Sequence, residues 1–267
     1  MIFKQDYHIH TIYSGHSDKR MTIGNIIKKA EAVGLTGIAI TEHAFDWHKG
    51  PKGNLALIRQ ELNKASTGIQ VDVGLEIDPD TENPGQLHFD DFEKGEVFPV
   101  LVGFHGYPGV SRGWFEKVNF TRREKNRIYC RWLKIMHKLI ENPKVDILAH
   151  PGRIIMQNGI IEEFSGKVLK DFNELAEAAA EYDVAFEMNE ELLNRIPTER
   201  LQKTYIEVIR IMLNHGVKLS PGSDAHSLEK IGRFSKISRL IKSLNINNKN
   251  SLSNIQGGKN EEKVYVN

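Results

Sequence analysis

Short apolar runs alternate with longer amphipathic runs along most of the chain, and this alternation constrains the fold more than any other feature. Seven runs have the length and composition of β-strands, and they fall at residues 5–10, 36–41, 71–76, 99–104, 145–149, 184–188 and 217–220. Strands separated by helices form parallel βαβ units. Several such units in 267 residues predict one α/β domain, built on either an open doubly wound sheet or a barrel.

Local signals mark several of the helices between these strands. Thr22 is a natural N-cap and Gly34 lies where a glycine commonly ends a helix. Thr121 and Glu124 form the pattern of a capping box, in which each side chain satisfies the backbone of the other. Four amphipathic helices are therefore predicted, at residues 23–33, 122–140, 167–182 and 199–214.

Two segments lack this periodicity. Residues 82–96 predict a long loop, which we expect to lie over a site. From residue 245 onward the chain is rich in Asn, Lys, Ser and Gly, a composition typical of a flexible tail. The sequence thus predicts one domain over residues 1–244 and a polar C-terminal tail over residues 245–267.

Composition argues against several classes of protein. The 36 basic and 35 acidic residues give a net charge of +1, so no extended basic field is available to bind long nucleic acid. Cys130 is the one cysteine, which excludes an intrachain disulfide and a thiolate-rich zinc site. No apolar run approaches the ~20 residues that span a bilayer, and the first residues lack the apolar stretch of a signal peptide. We expect a cytoplasmic protein with no membrane partner, and the oligomeric state stays open.

Histidines and carboxylates gather where the predicted strands end. In parallel α/β folds the ligand crevice lies at the carboxyl ends of the strands. His8 and His10 are two residues apart on one strand and therefore point to the same face. A single histidine near a strand end is more often a structural group than a ligand, so the prediction depends on the whole set. That set comprises His8, His10, His16, His43, Glu76, His105, His150, Asp224 and His226.

The size and chemistry of the set indicate a metal centre. Nine ligands are more than one ion can use when water must also bind, so two or three divalent ions are expected. Imidazole with a minority of carboxylate suits Zn, Mn or Fe. A bridging carboxylate would hold two ions about 3.5–4 Å apart, an arrangement that supports phosphoryl displacement. The other histidines lack this placement and are expected to be surface or structural residues, namely His48, His88, His137 and His215.

The residues around these positions resemble the PHP family, named for polymerase and histidinol phosphatase. The resemblance runs in family order over about residues 6–233, and it is carried by Asp6-Tyr7-His8-Ile9-His10-Thr11, Tyr13-Ser14, Gly37-Ile38-Ala39-Ile40-Thr41-Glu42-His43, Gly74-Leu75-Glu76, His105, Ala149-His150-Pro151 and Ser223-Asp224-Ala225-His226. It implies a metal-dependent phosphoesterase with a distorted (β/α)7 barrel. It also implies a site for three metal ions at the carboxyl ends of the strands, with the same nine residues as ligands.

The resemblance also implies a supporting role behind the ligands for three more residues. The family usually has Thr-Asp-His where this chain has Thr41-Glu42-His43, and the extra methylene of Glu42 would adjust a contact to a ligand rather than abolish metal binding. The family's Glu-Ile-Asn corresponds to Glu187-Met188-Asn189 in this chain. We expect Glu187 and Asn189, like Glu42, to hold ligands in place.

The expected reaction is hydrolysis of a small phosphate monoester by a metal-activated water, with histidinol phosphate as a named possibility. A guanidinium can pair two phosphate oxygens at once; Arg153 is the better placed candidate and Arg233 the second. The protein acid or base is unassigned, although Asp224 or His226 could relay a proton. Two alternatives stay open: a nuclease or nucleotide phosphodiesterase, and a non-catalytic, metal-binding regulatory barrel. Loops at residues 82–96 and 111–120 are expected to select the substrate.

Overall fold

Seven parallel strands form one sheet in a computed structural model that describes residues 3–44, 50–106 and 119–244. Each strand pairs with its neighbour in the chain. The strands are β1 (Gln5–Ile9), β2 (Gly37–His43), β3 (Gln70–Ile77), β4 (Val100–Val102), β5 (Ile147–Leu148), β6 (Ala185–Asn189) and β7 (Leu219–Gly222). Their number and parallel order are those predicted from the alternation of the sequence.

The first strand meets the segment after the last one, which nearly closes the sheet. Ile9 forms a bridge with Ala225, and His10 N donates a hydrogen bond of 3.0 Å to Ala225 O. A buried cluster drawn from five strands is separate from the larger core and fills the barrel interior: Tyr7, Ala39, Leu101, Ile147, Ala149 and Ala185. The fold is therefore a distorted (β/α)7 barrel in a single domain, and the open doubly wound alternative is excluded.

Eight helices surround the barrel in the described part of the chain. They are α1 (Ile23–Ala32), α2 (Gly50–Leu62), α3 (Arg122–Ile140), α4 (Arg153–Gln157), α5 (Gly166–Glu181), α6 (Glu190–Arg195), α7 (Glu199–Asn214) and α8 (Ser235–Ser243). Short 3₁₀ turns occur at Ile12–Ser14 and Leu228–Lys230. The predicted caps are present: Thr22 accepts from Asn25 N, and Thr121 and Glu124 form a complete capping box.

Several boundaries differ from those predicted. The second strand extends through His43, because its ladder with β3 continues to the pair of His43 and Glu76. The fourth and fifth strands shrink to three and two residues. Four helices were missed: α4 and α6 are too short to show a period, α2 carries Gly50, Pro51 and Gly53 in its first turn, and α8 buries only Ile237 and Ile241.

The predicted loop at residues 82–96 packs against the barrel's flank. Arg131 of α3 reaches the carbonyl of Thr81 at 2.7 Å, and Asn142 Nδ2 donates to Gly85 O at 2.8 Å. Lys144 Nζ donates to Phe92 O at 2.7 Å. The loop also contacts α2, where Arg59 donates to Glu96 O at 2.6 Å and Lys52 pairs with Asp91 at 2.6 Å. These contacts hold the loop against the flank of the barrel, so the expectation that it lies over the site is wrong.

Other predictions concern residues outside the described ranges. His48, most of the predicted loop at 111–120 and the whole predicted tail at 245–267 lie there, so the domain boundary at 244 stays a prediction. No helix in the described ranges is long and apolar enough to cross a bilayer. The cytoplasmic location also stays a prediction.

Candidate metal centre

The nine predicted ligands come together at the carboxyl ends of the strands. Six of them are buried, and His105 and His226 are partly so, while His16 is exposed at the rim. The ring of His10 stacks between those of His43 and His226, with a centroid distance of 4.2 Å on each side. Side chains from six strands and their loops thus share one pocket, as the positions at strand ends predicted.

Glu76 lies at the middle of this group, near the end of β3. Its Oε1 atom is 2.8 Å from His150 Nε2 and 3.3 Å from His105 Nε2. Its Oε2 atom lies close to three further ring nitrogens, at 2.9 Å for His43 Nδ1, 3.3 Å for His8 Nε2 and 3.4 Å for His10 Nε2. One fully buried carboxylate therefore faces five imidazoles.

Asp224 supplies a second carboxylate from the other side. Its Oδ1 atom is 3.4 Å from His10 Nε2 and 3.5 Å from His226 Nδ1. Asp224 has a φ of 53°, and His150 has a φ of 29°, in the left-handed region that non-glycine residues seldom occupy. Such backbone conformations cluster at functional sites, where the surrounding structure holds them in place.

The hydrogen bonds of the rings determine which nitrogen faces the pocket. His8 Nδ1 donates to Glu187 Oε1 at 2.7 Å, so Nε2 is the His8 nitrogen that faces the pocket, 3.0 Å from His10 Nε2. The Nδ1 atoms of His16 and His226 lie 3.0 and 3.1 Å from backbone carbonyls, and their Nε2 atoms are 2.8 Å apart. Ring lone pairs that face each other at this distance are what a shared cation would satisfy.

The residues present fit divalent metal ions. Three groups have ligand atoms within 4.8 Å of one another: His10 with His43 and His226, His8 with His10 and Glu76, and His43 with Glu76 and His105. Glu76 Oε2 is buried and accepts no hydrogen bond from the described residues, although three ring nitrogens surround it. A donor set of nitrogen and oxygen without sulfur suits Zn, Mn or Fe.

Opposite charges inside the pocket shift the pKa values strongly. Burial disfavours the charged form of His8, but the carboxylates of Glu187, Glu76 and Asp224 outweigh it and raise its pKa well above the usual value. Burial would raise the pKa of Glu76, but His105, His8 and His43 hold it well below its ordinary range. Glu76 is therefore ionised at neutral pH, as a metal ligand must be.

Burial lowers the pKa of four histidines below the usual value, namely His16, His43, His150 and His226, and two of them shift far. Burial, together with the neighbouring His10, lowers the pKa of His43 to about 3 and that of His226 to about 2. Both rings are therefore neutral at pH 7, which is the form that binds metal ions.

Outer contacts fix several of these side chains. Glu187 Oε2 accepts from the backbone N of His150 at 2.5 Å, and Asn189 Nδ2 donates to both oxygens of Glu187 at 3.1 Å. Glu42 accepts from Thr11 N at 3.0 Å, and its other oxygen is 3.5 Å from His10 Nδ1. Glu187 and Glu42 thus contact predicted ligands, and Asn189 contacts Glu187; their role in holding ligands in place stays a prediction.

Two outer carboxylates had no predicted role. Asp78 Oδ1 accepts from His105 Nδ1 at 2.7 Å, and its position two residues after Glu76 was the signal that could have revealed it. Asp6 Oδ1 accepts from Ser223 N at 2.9 Å and Asp6 Oδ2 from Gly232 N at 3.0 Å. Burial raises the pKa of Asp6 to about 6 despite these hydrogen bonds. Asp6 thereby links β1 to the segment that carries Asp224.

Gly103, directly after β4, leaves space for His150. A Cβ atom at Gly103 would lie 2.8 Å from His150 Nε2 and 3.0 Å from Ala149 Cβ, so the ring would have to move away from Glu76. We expect Gly103→Ala to weaken zinc binding about 10–100-fold, measured by competition with a chelator, with an unchanged circular dichroism spectrum. Gly24→Ala is the control, since its Cβ would have nothing within 4 Å; equal zinc affinity in both variants would contradict the prediction.

A cleft of about 250 Å³ opens above the centre. Arg153, buried at the start of α4, lines this cleft together with His16, His43, His105, Asp224 and His226. The cleft also contains Glu191, Arg195 and Lys230, which had no predicted role. Arg233 lines a neighbouring cleft instead, so the structure places only one of the two predicted arginines beside the centre.

The comparisons with known proteins agree with this geometry. A model of the PHP domain matches residues 6–191. A protein of Proteus mirabilis named "Probable phosphatase" is 25% identical over 246 residues, which cover 90% of this chain and 85% of the relative. A relative of the same name from Caldanaerobacter subterraneus is 28% identical and covers 90% of this chain and 83% of its own length.

A solved structure shares the fold. The histidinol phosphate phosphatase of Lactococcus lactis, complexed with zinc, L-histidinol and phosphate, aligns with a TM-score of 0.66 at 19% identity. The alignment covers 95% of this chain and 97% of that one. At this level of identity the likeness concerns the barrel and its topology.

Proposed function

Because this chain belongs to the PHP domain family, we propose that it is a phosphoric ester hydrolase that cleaves a small phosphate monoester with the help of two or three divalent ions. The observation that carries the proposal is the convergence of seven imidazoles on Glu76 and Asp224 beneath a cleft lined by Arg153. Relatives named as phosphatases along about 90% of the chain support the same reaction class.

The proposed ligands are the nine converging residues, and the proposed metals are Zn, Mn or Fe. Bound ions would supply an activated water and neutralise charge on the phosphoryl group. Arg153 lines the cleft with a planar guanidinium that can bind two phosphate oxygens at once. Asp224 and His226 also line the cleft, but both are unprotonated at neutral pH, so the group that protonates the leaving alkoxide stays unassigned.

Glu187 and Asn189 act through His8 and His150 rather than on the substrate. The carboxylate of Glu187 contacts the ring of His8 and the backbone of His150, so it sets the direction of two proposed ligands. Glu42 has the same relation to His10 at the longer distance of 3.5 Å. Such outer contacts orient metal ligands and tune their basicity.

Histidinol phosphate is the named candidate substrate. The neighbour from Lactococcus lactis is a histidinol phosphate phosphatase, and the cleft here has the size for a small phosphorylated molecule. The decisive experiment strips the protein with a chelator, reloads it with Zn, Mn or Fe, and measures phosphate release from a panel of monoesters that includes histidinol phosphate.

We expect no release from the stripped protein and restored release after reloading. A metal-loaded protein that releases no phosphate from any monoester would contradict the proposal. Mononucleotide release from single-stranded DNA in place of monoester hydrolysis would instead indicate a nuclease. Bound metal in freshly purified protein without hydrolysis of any monoester or of DNA would favour the non-catalytic barrel.

A further inference from the structure

A second cleft of about 410 Å³ adjoins the one above the candidate metal centre. It lies between α6, the end of β7 and the first turns of α8. Glu191 and Lys230 line both clefts, so the two spaces share a wall. The charged side chains around the second cleft are Glu190, Glu191, Lys230, Arg233, Lys236 and Arg239.

Both carboxylates of this cleft are already engaged by the protein. Glu190 accepts hydrogen bonds from the backbone N atoms of Lys236 and Ile237 at 2.9 and 3.0 Å, so it satisfies the first turn of α8. Glu191 pairs with Arg195 and, at 3.0 Å, with Lys230. The two carboxylates offset only two of the four cations around the cleft, so an excess of positive charge remains.

Three of these cations have no acidic partner in the part of the chain that the structure describes. Arg233, Lys236 and Arg239 form no ion pair with any described carboxylate, although all three line the same space. Like charges that line one concave surface focus a positive potential and attract anions. This local concentration of positive charge contrasts with the net charge of +1 for the whole chain.

We propose that the substrate carries a second anionic group, which the second cleft binds while the phosphate to be removed lies over the metal centre. The inference rests on the proposed function and narrows its substrate class. Lys230 lies at the shared wall, where it can contact the part of the substrate that joins the two anions. A substrate with a cationic far end, such as the ammonium of histidinol phosphate, would meet Arg233, Lys236 and Arg239 unfavourably.

A series of linear diol derivatives tests this directly. Ethanediol, butanediol and hexanediol are prepared with one phosphate, and the far end carries a hydroxyl, a carboxylate, a second phosphate or an ammonium group. At the chain length that best spans the clefts, we expect kcat/KM about tenfold higher for the phosphate or carboxylate end than for the hydroxyl end. Because either phosphate of a bisphosphate can be removed, its kcat/KM is divided by two before the comparison. The compound with the ammonium end should give the lowest kcat/KM.

Matched variants test whether the second cleft causes the preference for an anionic far end. Arg239→Ala and Arg233→Ala should each reduce the ratio of kcat/KM for the bisphosphate to that for the alcohol, and high salt should reduce it in the unchanged protein. Lys242→Ala removes the same charge from the same helix at an exposed position outside the cleft, and it should keep the ratio.

The outcomes separate this inference from the proposed function. Equal kcat/KM for the hydroxyl and anionic ends at every length, or an equal fall of the ratio in Lys242→Ala, would overturn the second anion site while phosphatase activity stands. Failure to hydrolyse any member of the series, alongside the monoester panel, would overturn both.

Discussion

Replacing Glu76 with glutamine is expected to lower kcat at least about a thousandfold and to reduce the metal content of the protein. Removing an outer partner of a metal ligand costs about 10–100-fold, and Glu76 contacts five ring nitrogens itself, so its loss should cost more. The amide of glutamine keeps the volume of the side chain but carries no charge. The negative charge of Glu76, which raises the pKa of neighbouring rings such as His8, is therefore lost. Metal content by elemental analysis and phosphate release on reloaded protein measure the effect.

Asp72→Asn provides the matched control for this change. Asp72 lies on the same strand and undergoes the same change from acid to amide. Its carboxylate accepts hydrogen bonds only from the side chain of Gln70 in the described part of the chain. We expect unchanged activity and metal content in this variant. A Glu76→Gln protein that keeps its metals and turns over within tenfold of the unchanged protein would remove Glu76 from the site.

Local sequence patterns were sufficient to predict the strands and the end of the sheet at which the candidate site lies. A parallel strand places its last residues at one end of the sheet, so His10, Glu76 and His150 could be assigned to a common edge before any contact was known. The periodic pattern alone could not predict barrel closure, which the family resemblance supplied instead. Closure depends on the pairing of Ile9 with Ala225, residues 216 positions apart whose side chains carry no signal of that contact.

The cations that line the two clefts show the limit of arguments from proximity in sequence. Arg233 is seven residues from His226, yet the backbone turns at Gly232, with a φ of 66°, and Arg233 lines the second cleft. Arg195 and Lys230 reach the first cleft from a helix of six residues and from a 3₁₀ turn, neither of which shows a periodic pattern. Their placement depends on packing between distant segments.

Arg153 occupies the position from which the largest effect on substrate binding is expected. Its side chain is only 6% exposed, and burial lowers its pKa while Asp224, Glu76 and Asp78 favour its charge. A guanidinium in this setting keeps its charge, because its ordinary pKa lies far above neutrality. Bringing a phosphate dianion into the cleft would therefore place two donors of one planar group against it.

We expect Arg153→Lys to lower kcat/KM about 10–100-fold and Arg153→Ala to lower it further, with metal content unchanged in the lysine variant. Lysine keeps the charge but loses the paired donors, so the difference between the two variants separates charge from geometry. Arg123→Ala, at an exposed position in the first turn of α3, is the control and should match the unchanged protein. Phosphate release and the inhibition constant of inorganic phosphate are the measurements. Unaltered phosphate inhibition in Arg153→Ala would show that the anion binds without this arginine.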